Sequence, residues 1–186
     1  NIGTGLGKLD KSVLMIDTDI GLRNLDVVMG LENRIVYNLV DVIEGECRLK
    51  QALIKDRHYP NLQLLPSAQT KDKSAVRPEQ MIKLINGLKK NFDYIILDTA
   101  PVGMVTDTLL VGRVADLSVY VCRADYTRKA EFTLINELAN SNKLPNLCTI
   151  INGVDLKKRK YGYYYGYGKY SKHYGYGKRY GYGYGY

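Results

Sequence analysis

The sequence predicts an α/β domain built on a mostly parallel, doubly wound sheet, and three observations carry that prediction. Four apolar runs of strand length recur, at Val13 to Ile16, Tyr94 to Leu97, Leu117 to Cys122 and Leu147 to Ile151. Each is unbroken rather than alternating, as in strands covered on both faces. Helix-like stretches lie between them, and strand and helix patterns that alternate this way indicate a parallel sheet with helices on both sides. Of the 186 residues, 45% are hydrophobic, which suffices for a core in one domain of ordinary size.

Taken in order, residues 1–12, NIGTGLGKLDKS, read as the last turns of a helix feeding the strand at Val13. No strand comes before that helix in the sequence, so the sheet is expected to lack its first strand. Asn38 is placed to cap a helix running to Ile43, because its side chain can accept from backbone N–H groups left free in a first turn. A weaker strand candidate covers Leu62 to Leu65. The clearest helix, Pro78 to Asn91, opens with Pro at its first position and Glu beside it, and places Met81, Leu84, Ile85 and Leu88 on one face. A further helix, Lys129 to Asn142, places Phe132, Ile135 and Leu138 on its buried side.

Charge divides the chain in two. There are 27 Lys plus Arg against 19 Asp plus Glu, a net +8, yet residues 156–186 contain 8 of the basic residues and no acid. Residues 1–155 are therefore neutral, with 19 of each sign, and the tail holds the whole excess. The tail also holds 12 of the 17 Tyr and 8 of the 18 Gly. A domain over 1–155 and a basic Tyr/Gly-rich tail over 156–186 are expected. No window approaches a membrane span and no signal-peptide pattern is seen, which gives a cytoplasmic reading. The three cysteines, Cys47, Cys122 and Cys148, form no CxxC pair, and the latter two, inside strand-like runs, read as buried apolar filler.

In doubly wound folds ligands sit beyond the carboxyl ends of the strands, so the strand-ending residues are the candidates for chemistry. The first strand ends in Asp17-Thr18-Asp19, the second long one in Asp98-Thr99, the third in Arg123 with Asp125 just after, and the last in Asn152-Gly153. Two carboxylates, a guanidinium and an amide converging on one edge suit a hydrated divalent ion and a nucleotide, since Mg²⁺ prefers oxygen ligands and keeps several waters. Strand-ending Asp and Asn also simply cap the next turn, and for any single residue that remains open. Gly3, Gly5, Gly7 and Lys8 spell GTGLGK, which suggests a phosphate loop. Such a loop needs a strand before it and Ser or Thr directly after its Lys, whereas Leu9 follows Lys8 and the strand comes later. Small residues letting a helix pack close to the sheet are the better account. His58 and His173 have no partner spacing and receive no role.

These residues carry a resemblance in two parts. VLMIDTDIGLRNLDVVMGLENRIVYNLVDVIEG, continuing through LLPSAQTKDKSAVRPEQMIKLI, resembles the MinD-type ATPases that place the bacterial division site, over residues 1–95. IILDTAPVGMVTDTLLVGRVADLSVYVCRADYTRK and IINGVDLKKRKYGYYYGYGKY, from residue 94 to the end, resemble the cytoplasmic domain of the bacterial tyrosine kinases of exopolysaccharide export. Both families belong to the deviant-Walker P-loop class. The resemblance implies ATP and Mg²⁺ as cofactors. It implies that Asp17 and Asp19 match the Walker A′ carboxylates near the γ-phosphate, with the kinase equivalent acting as base toward a tyrosine hydroxyl. It implies that Asp98 matches Walker B, which holds Mg²⁺ through water, with Asp17 beside the metal, and that Asn152 reads adenine with Arg123 near the nucleotide.

Both families place a Walker A loop before the helix equivalent to residues 1–12, and the sequence contains none, so it is expected to be nearly inactive alone. Ile20, Gly21 and Leu22 intervene before Arg23 in the MinD manner, whereas the kinases place Arg closer. The partners implied are neighbouring copies in a dimer or ring, a membrane adaptor or polysaccharide co-polymerase at the inner face of the plasma membrane, and a tyrosine phosphatase.

In the tail, Gly at every second or third place opposes helix formation and there are no aliphatic residues from 161 onward to drive burial, so disorder is expected. A low-complexity linker and a single-stranded nucleic-acid binder are two readings, the second less suited to the attached domain. The kinase resemblance implies a third, a phosphoacceptor cluster made of Tyr161, Tyr163, Tyr164, Tyr165, Tyr167, Tyr170, Tyr174, Tyr176, Tyr180, Tyr182, Tyr184 and Tyr186.

Overall fold

Valine, leucine, methionine and isoleucine in succession make β1 (Val13–Asp17), which is buried along its whole length. Successive side chains of a strand point to opposite faces, so β1 serves two cores at once. Leu14 and Ile16 pack with Leu39, Leu65, Met81, Ile85 and Leu88 on one face. Val13 and Met15 pack with Leu31, Ile54, Leu62 and Leu64 on the other. The computed structural model describes residues 1–21, 24–69, 76–102, 109 and 111–155.

The described elements follow the sequence order α1 (Ile2–Lys8), β1, α2 (Leu25–Val28), a 3-10 turn at Glu32–Arg34, α3 (Leu39–Glu44), α4 (Leu49–Ala52), β2 (Ile54–Lys55), β3 (Leu62–Leu65), α5 (Pro78–Leu88), β4 (Tyr94–Asp98), β5 (Ser118–Arg123), α6 (Glu131–Asn140) and β6 (Leu147–Asn152). Strands β2, β3, β1 and β4 form one sheet in that spatial order. β1 is parallel to both β3 and β4, and the two-residue β2 adds an antiparallel edge. β5 and β6 form a second, parallel pair.

Local chemistry sets the helix ends. Asn38 Oδ1 accepts from the N–H of Val40 at 2.9 Å, and Asp41 Oδ2 accepts from the Asn38 N–H at 2.8 Å, a reciprocal cap on α3. α3 then stops at Gly45, whose φ of 80° suits a residue without Cβ. Pro78 stands in the first turn of α5, where its missing N–H costs nothing. In α1 a Cβ on Gly3 would lie 2.6 Å from Met15 Sδ. All three glycines of GTGLGK lie in α1, and Gly3 and Gly7 let that helix approach β1 and β3 closely, as expected, whereas Gly5 faces open space.

Three expectations are corrected. β5 and β6 are not covered on both faces: Val121 is 59% exposed, and every β6 residue after Leu147 is exposed. Cys148 is exposed with them, while Cys122 is buried. Phe132 is 40% exposed, so α6 buries only Ile135 and Leu138. The physical reason is common to all three. A two-stranded sheet with one helix has too little surface to cover itself, so side chains of core type are left in solvent.

Leu14, fully buried on the central strand, reports the integrity of this core. Leu14→Ala is expected to lower unfolding free energy by about 2–5 kcal/mol in denaturant titration, because the rigid strand cannot collapse into the vacated space.

Candidate functional site

The carboxyl edge of the larger sheet is organised by pairing of β1 with its neighbour β4. Register runs from Val13 opposite Tyr94 to Asp17 opposite Asp98, so the two carboxylates leave neighbouring strands at the same level. Thr18 fastens the exit, donating to the Asp98 carbonyl from its backbone N–H at 2.9 Å and from Oγ1 at 2.7 Å. The chain then turns back: Asp19 N–H donates to Asp17 Oδ1 at 3.0 Å, and Gly21, at φ 87°, donates to the Ala68 carbonyl at 3.1 Å. Asp17, Asp19 and Asp98 are thus held together by strand pairing and one tight turn.

Asp17 is 2% exposed. Its Oδ1 caps the turn, as strand-ending Asp often does, whereas its buried Oδ2 has no hydrogen-bond partner. Burial pushes its pKa above the ordinary carboxylate value; the N–H groups of Asp19, Leu25 and Asn24 oppose this, and the charge of Asp98 adds to the rise. The Asp98 carboxyl is also raised, first by desolvation and then by the neighbouring charge of Asp19.

The sign of the consequence for stability follows by linkage. The folded chain retains the Asp17 proton at pH values where an unfolded Asp, near 3.8, has lost it. This favours folding in acid, and the benefit is lost as pH rises through the folded-state pKa. Asp17→Asn keeps the oxygen that accepts from Asp19 and removes the charge. It is expected to raise the melting temperature at pH 7 and to flatten the decline in stability above pH 3.8 in scans across pH.

Arg123 and Asn152 occupy the matching position on the smaller sheet, as register partners. The Asn152 carbonyl accepts from Ala124 N–H at 2.8 Å and its Oδ1 accepts from Gly153 N–H at 2.8 Å. Arg123 lies over the Tyr126 ring, 5.6 Å from its centre, and its N–H donates to Thr127 Oγ1 at 2.8 Å. The structure therefore brings the five sequence-predicted residues together as two groups, Asp17 and Asp19 with Asp98, and Arg123 with Asn152, on two sheets. The twelve tail tyrosines lie outside the described residues.

Two buried polar residues at this edge escaped the sequence reading. Ser67, 1% exposed and with no partner for Oγ, stands two residues beyond the carboxyl end of β3. Examining the end of the weak strand Leu62 to Leu65, as was done for the strong ones, would have found it. Asp26 is fully buried in α2, one residue beyond the Leu25 N–H that faces Asp17. Nothing in the string LDVV signals that burial.

The donor set fits magnesium. The ligands on offer are hard oxygens from Asp17, Asp19, Asp98 and Thr18, and the unpartnered Asp17 Oδ2 provides an acceptor without a donor. Among the described residues no group of three or more His, Cys, Asp or Glu converges tightly enough to cage an ion alone. Among the described residues the same edge offers carboxylates and no clustered cations, so these residues by themselves do not fit a triphosphate.

A mostly parallel sheet with helices packed on both of its faces, whose adjacent strands β1 and β4 end in paired carboxylates, has a P-loop nucleoside-triphosphatase-like architecture. Comparison with known families agrees: the AAA domain family matches residues 1–127, and the chain belongs to it. Over 105 residues it is 58% identical to the septum site-determining protein MinD of Bacillus subtilis, which is 56% of this chain and 39% of that protein. The chain thus spans about two fifths of the length of such curated relatives. Among solved structures, MinD in the MinC:MinD cell division complex of Aquifex aeolicus superposes with a TM-score of 0.71 at 36% identity, over 83% of this chain and 62% of that one. The kinase domain of the Escherichia coli tyrosine kinase ETK gives a TM-score of 0.73 over 95% of this chain and 64% of that one; at 20% identity this shows a shared fold. The chain is therefore a deviant P-loop protein that resembles both MinD and the bacterial tyrosine kinases. Among the described residues no helix is long and apolar enough to cross a membrane.

Proposed function

We propose that residues 1–155 form the magnesium-facing part of an ATP-dependent phosphoryl-transfer domain and that the tyrosines of residues 156–186 are its acceptors. On this reading the chain is the ATP-binding part of a bacterial tyrosine autokinase that regulates exopolysaccharide synthesis and export. The observation that carries the nucleotide half is the register pairing of Asp17 with Asp98, with a buried Asp17 oxygen left unpartnered. The acceptor half rests on the twelve tyrosines among eight basic residues and no acid.

Bound Mg²⁺-ATP supplies the phosphoryl group and neutralises charge on its oxygens. The chain supplies positioning. Asp98 holds the ion through water, and Asp17 and Asp19 lie where an incoming hydroxyl is oriented. The raised pKa of Asp17 suits a group that takes up a proton from a tyrosine hydroxyl. Asn152 and Arg123 contact the base side of the nucleotide. Neighbouring copies, in a dimer or ring, bring one tail to the next site, at the cytoplasmic face of the membrane through an adaptor, and a tyrosine phosphatase resets it.

Phosphorylation is a large electrostatic event here. Each phosphotyrosine adds about −1.5 to −2 charge, so complete modification takes the tail from +8 to roughly −10 to −16. Co-expression with an intact kinase of the same class, followed by mass spectrometry, is expected to find several tail tyrosines modified. Finding them all unmodified overturns the acceptor reading. A second reading, a MinD-type ATPase acting in division-site placement, is favoured by the 58% identity to a MinD protein. It predicts ATP hydrolysis by water with the tail unmodified.

A further inference from the structure

Two Asn-Gly pairs occur in the sequence, Asn86-Gly87 and Asn152-Gly153. Each is preceded by Ile and followed by an aliphatic residue, so their local chemistry is matched, yet the fold holds them differently. Asn152 is the exposed last residue of β6, and Gly153 beyond it is exposed in a bend with φ 71°. The Gly153 N–H donates to Asn152 Oδ1 at 2.8 Å. That contact folds the Asn152 side chain forward along the chain, so its carboxamide carbon is held beside the backbone nitrogen of the next residue. Asn86 and Gly87 lie inside α5. Helical Cβ bonds tilt toward the N-terminus and helical N–H groups bond to carbonyls four residues back, so the Asn86 side chain is directed away from a Gly87 nitrogen that is already engaged.

We propose that Asn152-Gly153 is a site of spontaneous deamidation, the fold presenting this pair to the reaction and withholding the other. The Gly153 nitrogen gives up its proton to solvent base and attacks Asn152 Cγ. The N–Cγ bond forms, the Cγ–Nδ2 bond breaks, and Nδ2 leaves as ammonia with the proton returned from solvent. Water then opens the succinimide ring. Opening at Cγ gives aspartate with the main chain unchanged; opening at the main-chain carbonyl carbon of residue 152 gives isoaspartate. Water is the one co-reactant, and nothing is oxidised or reduced. The held juxtaposition of the reacting atoms replaces a chance encounter. Gly153 has no side chain to obstruct ring closure and suits its positive φ. Arg123 is the register partner of Asn152, and a Cβ on Gly153 would meet Arg123 Cγ at 3.7 Å, so a permanently cationic side chain borders the centre where negative charge develops.

The product differs in charge and in hydrogen bonding. Residues 1–155 carry 19 charges of each sign, so one conversion leaves them net negative. The new carboxylate stands level with Arg123 on the neighbouring strand. A carboxamide offers both donors and an acceptor, whereas a carboxylate only accepts. On the reading that Asn152 contacts the nucleotide base, the reaction removes the donor and retires that contact as the protein ages. The modification itself needs only Asn152, Gly153 and water, so its failure leaves the nucleotide reading intact, and failure of that reading leaves the modification intact.

The test incubates the 186-residue chain in mildly alkaline buffer, folded and in urea, and follows both pairs by peptide mass spectrometry with enzymatic methylation of isoaspartate. In urea the two pairs are expected to react at similar rates. In the folded chain Asn152 is expected to react about tenfold or more faster than Asn86, whose reaction waits on local opening of α5. Preferential conversion of Asn152 in the folded chain, with isoaspartate at that position, supports the site. Equal rates at the two pairs in the folded chain overturn it, as does an Asn152 that reacts in urea and stays intact when folded.

Discussion

Joining a phosphate-binding loop and a strand to the chain ahead of Asn1 is expected to raise ATP turnover by about three decades or more over the 186-residue chain. The physical argument concerns charge. At the described carboxyl edge of the larger sheet the functional groups are three carboxylates and a hydroxyl, while a transferring phosphoryl group spreads negative charge over its oxygens. A single missing oxyanion donor costs about 2.7–4 kcal/mol, and a loop with a lysine supplies several donors at once. A coupled ATPase assay on both proteins checks this. Comparable turnover by the unextended chain contradicts it.

Asp98→Asn in the extended protein is expected to lower magnesium-dependent turnover by about two to three decades with little loss of fold. Asp98 ends an edge strand with its side chain accessible, and its structural duty is carried by its carbonyl, which accepts both Thr18 hydrogen bonds and survives the substitution. The variant should therefore melt within a few degrees of its parent. Its half-saturating Mg²⁺ concentration should rise, while weak nucleotide binding without metal persists. Asp17→Asn differs in kind: it is expected to lose activity and gain stability, because the charge it removes is buried. A thermal melt beside the kinetic assay separates the two carboxylates.

How far the sequence could be read depended on which physical signal each residue carries. Val13 to Ile16 declares a fully covered strand, because four apolar residues in a row have no solvent face, and β1 is buried throughout. Asn38 and Pro78 declare helix starts through fixed local chemistry, and both stand where expected. The pairing of Asp17 with Asp98 was legible because the strand-end rule needs only the position of each strand. Long-range geometry was not legible. Leu147 to Ile151 has the same core composition as β1, yet its burial depends on what pairs beyond β5, which no local pattern encodes. Phe132 misled for the same reason: its helical face is right, and the surface meant to receive it is absent among the described residues. Ser67 and Asp26 are buried polar residues to which the sequence pattern gives no role.

The central claim is that the adjoining ends of β1 and β4 face a divalent ion carried by a nucleotide. Its most direct measurement replaces magnesium with Mn²⁺ and records paramagnetic broadening of backbone amides when ATP is added to the loop-extended protein. The account predicts broadening centred on residues 17–19 and 98–100, abolished by Asp98→Asn. Broadening centred elsewhere, or centred there and unchanged in the variant, contradicts it.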